Sequence, residues 1–209
     1  IRRLNSGRIL LPVTSTEGEL WSKSERIFVE LLYSDDDCET WQYGGQQIQL
    51  PMRGAMEPFL AEIGDGRLIM VMRNQLGSLF KTYSADEGLT WSKPQTTGLR
   101  APESCPFVIN VPNSRKLLVV WNNAEYDMQW RSHYGKRSPL TAAVTEDGGE
   151  TFTDFWDIET DPVVGFSNPG ATWTRDGRCL LTYWSCTYTP DWIFYGRIHL
   201  KMASFRVDP

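Results

Sequence analysis

Glu57 and Arg73 are the residues of this 209-residue sequence whose types and spacing most readily suggest joint chemistry. Glu57 opens an apolar, strand-like segment. Gly64-Asp65-Gly66-Arg67 then reads as a tight turn between apolar runs, and Arg73 falls near the end of the returning run. The two heads should therefore meet at one end of a hairpin. A carboxylate can give or take a proton. A planar guanidinium can offer two parallel hydrogen bonds to a carboxylate on a ligand. Asn74 follows Arg73 and is read with it as a binding residue. A second acid, Glu103, lies in the irregular stretch Ala101-Pro102-Glu103-Ser104-Cys105-Pro106. Two carboxylates facing one cleft are the usual equipment for hydrolysing a glycosidic bond, so Glu57 and Glu103 form a candidate catalytic pair. The plainer alternative is a cross-strand surface ion pair and a solvated loop glutamate.

Arg137 begins the segment Arg137-Ser138-Pro139-Leu140-Thr141-Ala142-Ala143-Val144, which alternates into a strand. Ahead of it runs a long aromatic loop with His133 and Tyr134. Such a loop could stack against a sugar ring, and His133 could shuttle a proton. A plain surface histidine is the competing reading.

The elements that must position these residues show themselves as a repeat. A polar turn followed by an apolar strand occurs at Asn5–Leu11, Gly64–Val71, Pro112–Val120 and Arg175–Leu181. A second pattern, S/T-x-D-x-G-x-T-W/F, alternates with it. Ser84, Asp86, Gly88, Thr90 and Trp91 fit it fully, and Thr145, Asp147, Gly149, Thr151 and Phe152 fit with variants. Ser34, Asp36, Thr40 and Trp41 fit with Cys38 in the glycine slot, which should strain that turn. The boxes begin 50 and 61 residues apart. In each, the Asp should accept backbone N–H groups and hold a turn, and the ring should pin the hairpin. Each repeat reads as a four-stranded antiparallel blade of a β-propeller, giving four blades, the last without a box. The fold class is all-β, and residues 1–209 form a single domain.

Composition narrows the partners. Lys and Arg number 21 against 26 Asp and Glu, a net charge of -5. That leaves no global field for nucleic acid or an anionic membrane, so local arginines must hold any anionic ligand. No apolar run approaches the roughly 18 residues of a membrane span. The four cysteines form no CxxC pair, and neither a metal nor a cofactor is expected. Whether those cysteines pair is left open.

The boxes resemble the Asp boxes of the sialidase (neuraminidase) superfamily, and the resemblance extends over essentially the whole chain. It implies about four blades of a six-bladed propeller, with early blades upstream of Ile1. It implies a glycoside hydrolase of exo type that acts on an acidic, sialic-acid-like sugar of a carbohydrate or glycoconjugate. The Glu57–Arg73 spacing is similar to that of the family's catalytic Glu and second arginine. Arg137, eight residues before a box, resembles the third arginine. The first arginine and the Asp acid/base are expected upstream, since Arg2 and Arg3 match poorly. The nucleophile is the departure. Where the family has Tyr before Ser, this chain reads Gly165-Phe166-Ser167, and Phe166 has no hydroxyl. Tyr134, Tyr183 and Tyr188 do not fit the motif. Phe166 is kept as a substrate-binding candidate, and a sugar-binding propeller without catalysis is the alternative function. The chain is expected to be monomeric. The compartment is not fixed, although propellers of this resemblance are often exported into the periplasm or the medium.

Overall fold

The computed structural model describes residues 1–209 apart from 20, 21, 23, 65, 132, 188–190, 192–194 and 209. Asp65 of the expected hairpin turn and Tyr188 lie outside the described residues. Every regular element described is a strand. The first blade comprises β1 (Arg2–Arg3), β2 (Ile9–Glu17), β3 (Arg26–Ser34) and β4 (Gln42–Tyr43). The second comprises β5 (Met56–Gly64), β6 (Arg67–Arg73), β7 (Ser78–Ser84) and β8 (Gln95–Arg100). The third comprises β9 (Phe107–Asn110), β10 (Leu117–Asn122), β11 (Leu140–Thr145) and β12 (Thr153–Glu159). The fourth has three strands, β13 (Val164–Trp173), β14 (Arg178–Thr187) and β15 (Tyr195–Arg206). Each blade is an antiparallel meander in sequence order, as the alternating turns and apolar runs predict. β5 lies against β2 and β9, and β9 lies against β13, so the blades stand around a common axis.

The apolar runs face both ways because each blade packs on two neighbours. Leu68, Met70 and Met72 of β6 join Leu10, Val29 and Leu31 of the first blade. Ile69 and Val71 of the same strand point the other way, toward Leu117, Val119 and Trp121 of the third blade. Leu118 and Val120 meet Leu181, Tyr183 and Phe166 of the fourth. This is strand periodicity used on both faces. It explains why these strands read as continuous apolar runs.

The boxes close the third-to-fourth strand turns. In the second blade Asp86 Oδ1 accepts from Thr90 N at 2.8 Å and from Ser84 Oγ at 2.8 Å, while Ser84 Oγ accepts from Gly88 N at 2.8 Å. Asp147 and Asp36 repeat the pattern through Thr151 N and Thr40 N, both at 2.9 Å. Cys38 takes the glycine slot at φ 75° and keeps its bond to Ser34 Oγ at 2.9 Å. A side chain is tolerated there because Cys38 is exposed. In the other two boxes a Cβ would fall 2.9 Å from Leu10 and 2.4 Å from Ile69 of the preceding blade. Cys105, Cys179 and Cys186 are buried.

Antiparallel order sorts the loops into two ends. The boxes and the first hairpin turn of each blade share one end. The starts of first strands, the ends of second strands and the blade-to-blade connections share the other, roughly 25 Å away along β5.

Candidate active site

The hairpin of β5 and β6 sets the first pair. Met56 stands opposite Arg73, with a bulge between Met56 and Phe59. Glu57 sits in that bulge at φ 43°, a left-handed conformation that is strained for a residue with a side chain. Its backbone N–H is held by Thr14 Oγ1 at 2.9 Å. The strained bulge swings the carboxylate onto the end of β6, where Arg73 Nη1 donates to Glu57 Oε2 at 2.9 Å. The Glu57 side chain remains 35% exposed, whereas that of Arg73 is 8% exposed.

Glu103, in the connection from β8 to β9, lies beneath these heads with its side chain 1% exposed. Arg73 Nη2 pairs with its Oε1 at 3.1 Å. Gln75 Nε2 donates to its Oε2 at 3.1 Å. Arg53, from the connection between β4 and β5, donates from Nη1 to Glu103 Oε1 at 2.7 Å and from Nε to Glu25 Oε2 at 3.0 Å. Arg137 precedes β11 and is buried. Its Nη1 donates to Ser167 Oγ at 2.5 Å and its Nη2 to the backbone carbonyl of Glu103 at 3.3 Å. Three guanidinium groups, two from connections and one from the end of β6, thus converge on one glutamate.

The electrostatics follow from this crowding. Burial opposes the Arg73 charge, but Glu57 and Glu103 outweigh it and hold its pKa above the ordinary arginine value. For Arg137, burial and then the like charge of Arg73 win, and its pKa drops to about 10, still cationic at neutral pH. The Cys105 thiol, buried beside Glu57, is pushed upward chiefly by burial and stays protonated. His133 is lowered to about 3 by burial, then by Arg137, Arg73 and Arg53. It is a neutral imidazole at working pH.

The sequence candidates fall into distinct places. Glu57, Arg73, Glu103 and Arg137 meet in one cluster, and the positive charge of Arg137, Arg73 and Arg53 acts on His133. Tyr134 stacks on Tyr126 with ring centroids 5.6 Å apart, forming an aromatic flank on the loop between β10 and β11. Asn74 turns away and shapes its own loop, accepting from Leu76 N at 2.7 Å and donating to Ser78 O at 3.0 Å. Phe166 is 1% exposed and packs edge-on against Tyr183 in the seam between the third and fourth blades. Its neighbour Ser167 is the residue that reaches Arg137. Arg2 and Arg3 lie on β1 and bond Asn110 and Asp37, away from the cluster. Arg53, Glu25 and Gln75 were not marked by the sequence reading. The signal for Arg53 is its neighbour Gly54, at φ 107°, where a Cβ would strike the Ile27 carbonyl at 1.7 Å. Only glycine lets that loop dock on β3, and the docking aims Arg53 inward.

A broad hollow of about 1110 Å³ opens at the box end, lined by residues such as Arg2, Glu62, Arg67, Asn110, Arg115 and Glu150. It is remote from the arginine cluster. Among the described residues no group of His, Cys, Asp and Glu is arranged to hold a metal ion. No described helix is long and apolar enough to cross a membrane.

Comparison with solved structures gives the same architecture. A protein of unknown function from Dyadobacter fermentans is 18% identical with a TM-score of 0.75, over 99% of this chain and 52% of that one. The intramolecular trans-sialidase from Ruminococcus gnavus, in complex with oseltamivir carboxylate, is 22% identical with a TM-score of 0.64, over 97% of this chain and 42% of that one. A mutant of the NanB sialidase from Streptococcus pneumoniae is 18% identical with a TM-score of 0.65, over 86% of this chain and 26% of that one. This chain therefore spans about a quarter to a half of their lengths, and the likeness is one of fold. No curated protein matches it. The BNR repeat-like domain family matches residues 2–181. With box turns closing three of its blades and a sialidase-like propeller as its fold, the chain belongs to the BNR repeat-like domain family.

Proposed function

We propose that the arginine cluster binds the carboxylate of an acidic, sialic-acid-like sugar, and that the protein is an exo-acting, sialidase-like glycoside hydrolase. The convergence of Arg53, Arg73 and Arg137 beside the half-exposed Glu57 carries this reading. Guanidinium forks in a water-poor site favour a planar anion. Tyr126 and Tyr134 offer a ring face beside them. Glu57 is the carboxylate of the cluster with room for a reacting group, and it takes the proton of an attacking water while the leaving oxygen takes one from solvent. Glu103 has both oxygens engaged by Arg53, Arg73 and Gln75, which leaves neither to act on a reacting group. Phe166 cannot form a bond to the sugar, so direct attack by water, which inverts the anomeric centre, fits the site better than a tyrosine-linked intermediate. The solved leech intramolecular trans-sialidase complexed with 2,7-anhydro-Neu5Ac supports the choice of sugar by analogy of fold.

The second reading is a sugar-binding propeller without turnover. It is favoured by the buried, hydroxyl-free Phe166 and the fully engaged Glu103. Assay of the natural full-length protein on aryl sialosides separates the two. Turnover that vanishes in Glu57→Gln supports the hydrolase, and binding without turnover supports the second reading.

A further inference from the structure

Glu103 touches every guanidinium group of the cluster. Arg53 Nη1 and Arg73 Nη2 both reach its Oε1, at 2.7 and 3.1 Å, and Gln75 Nε2 binds its Oε2 at 3.1 Å. Its backbone carbonyl accepts from Arg137 at 3.3 Å. The donors that would seat a ligand's carboxylate are therefore holding one that belongs to the chain. Two carboxylates cannot share those donors without strong like-charge repulsion in a buried setting. The cluster is also internally balanced, with Glu25, Glu57 and Glu103 set against the three arginines. Donor capacity nevertheless remains. Arg73 Nε and the fully buried Ser104 Oγ make no hydrogen bond among the described residues. A buried polar atom left unpaired is costly, and both atoms border the Glu103 carboxylate or its loop.

The loop that carries Glu103 is fixed at its base. Ala101 N is bonded to Gly77 O at 3.1 Å, and Ser104 N closes onto Pro102 O at 2.8 Å. Gly135 packs so closely on Pro102 that a Cβ there would fall 2.5 Å from it. The loop that bears His133 and Tyr134 thus rests on the loop that bears Glu103.

We infer that Glu103 is a tethered carboxylate seated where the acid group of a ligand binds, so that it sets the selectivity of the site. The inference rests on the acidic-sugar reading above. An acidic sugar enters as Glu103 releases Arg53 and Arg73, and the ligand's carboxylate takes over their forks. Glu103 thereby weakens the binding of acids that cannot displace it from both forks.

The test is calorimetric titration of the natural full-length protein with N-acetylneuraminic acid, comparing wild type with Glu103→Gln. Circular dichroism first establishes that each variant is folded. Glutamine keeps the shape and removes the charge, so Glu103→Gln should bind the acid about tenfold more tightly. Should Glu103→Gln not fold, Glu103→Asp, which keeps the charge but withdraws it by one methylene, should also bind more tightly than wild type. Equal or weaker binding by the folded variant, with measurable binding by wild type, overturns the inference and leaves the acidic-sugar reading standing. No binding by either folded protein overturns that reading, and the inference with it.

Discussion

Arg73 Nη1 lies 2.9 Å from Glu57 Oε2 and its Nη2 lies 3.1 Å from Glu103 Oε1, so one guanidinium spans the half-exposed acid and the buried one. Removing it takes from the buried Glu103 carboxylate one of its two paired counter-charges, and from Glu57 the other end of its ion pair. Arg73→Ala should therefore lose about 3–5 kcal/mol of stability in chemical denaturation. Arg73→Lys keeps the charge but not the fork. It should fold and bind an acidic sugar about tenfold more weakly, with KM rising and kcat little changed.

The three box aspartates give the protein an acid-sensitive edge. Hydrogen bonds from Thr40 hold Asp36 at about 2. For Asp86 and Asp147 burial pulls upward, but bonds from Thr90 and Thr151 outweigh it and lower both. A carboxyl group lowered in the folded state stabilises fully above its unfolded value of about 3.9, and that contribution is lost as pH falls through the folded value. Thermal melting should thus decline steeply between about pH 4 and pH 2. The variant with all three changed to Asn should be less stable at neutral pH and should lose much of that dependence.

His133 works in the neighbouring pH range. Its folded value of about 3 is set by burial and then by Arg137, Arg73 and Arg53. The unfolded histidine titrates near 6.5. Below about pH 6.5 the unfolded chain takes up a proton that the folded site refuses, so stability falls as pH drops toward 3. His133→Gln should flatten this part of the stability curve. NMR of the wild type should show no titration of the His133 imidazole between about pH 5 and pH 8.

Cys38 holds a left-handed backbone at φ 75° in a slot that two other boxes fill with glycine. A side chain in that conformation costs about 1–2 kcal/mol. Glycine's greater unfolded freedom offsets about 0.5–1 kcal/mol of that cost. Cys38→Gly should raise stability by about 0.5–1 kcal/mol by denaturant titration. Cys38 should also react first with a thiol reagent, because Cys105, Cys179 and Cys186 are buried.

The propeller was legible because its rules are local. Box turns and hairpin turns depend on residues two to four apart, and apolar runs report burial on both faces of a blade. The Glu57–Arg73 pairing was legible for the same reason, since one hairpin brings both to the same end. Arg53 and Glu25 were hidden because their convergence depends on long-range docking. Ile27 pairs with Gly54 across the blade, with Ile27 N bonded to Arg53 O at 3.0 Å, and Gly54 marks a close approach in that loop without naming its partner. Glu103 was marked as an acid from its residue type. Its saturation by Arg53, Arg73 and Gln75 became visible only when three connections were seen together. Phe166 could be read as a residue without a hydroxyl, but only packing shows that its ring lies in the seam between blades.

Recognition of a sugar by the arginine cluster turns on the negative charge of the sugar's carboxylate. It is tested most directly by calorimetric titration of the full-length protein with N-acetylneuraminic acid and, separately, with its methyl ester. The free acid should bind at least about tenfold more tightly than the ester. Equal affinity for the two, or a preference for the ester, would contradict it.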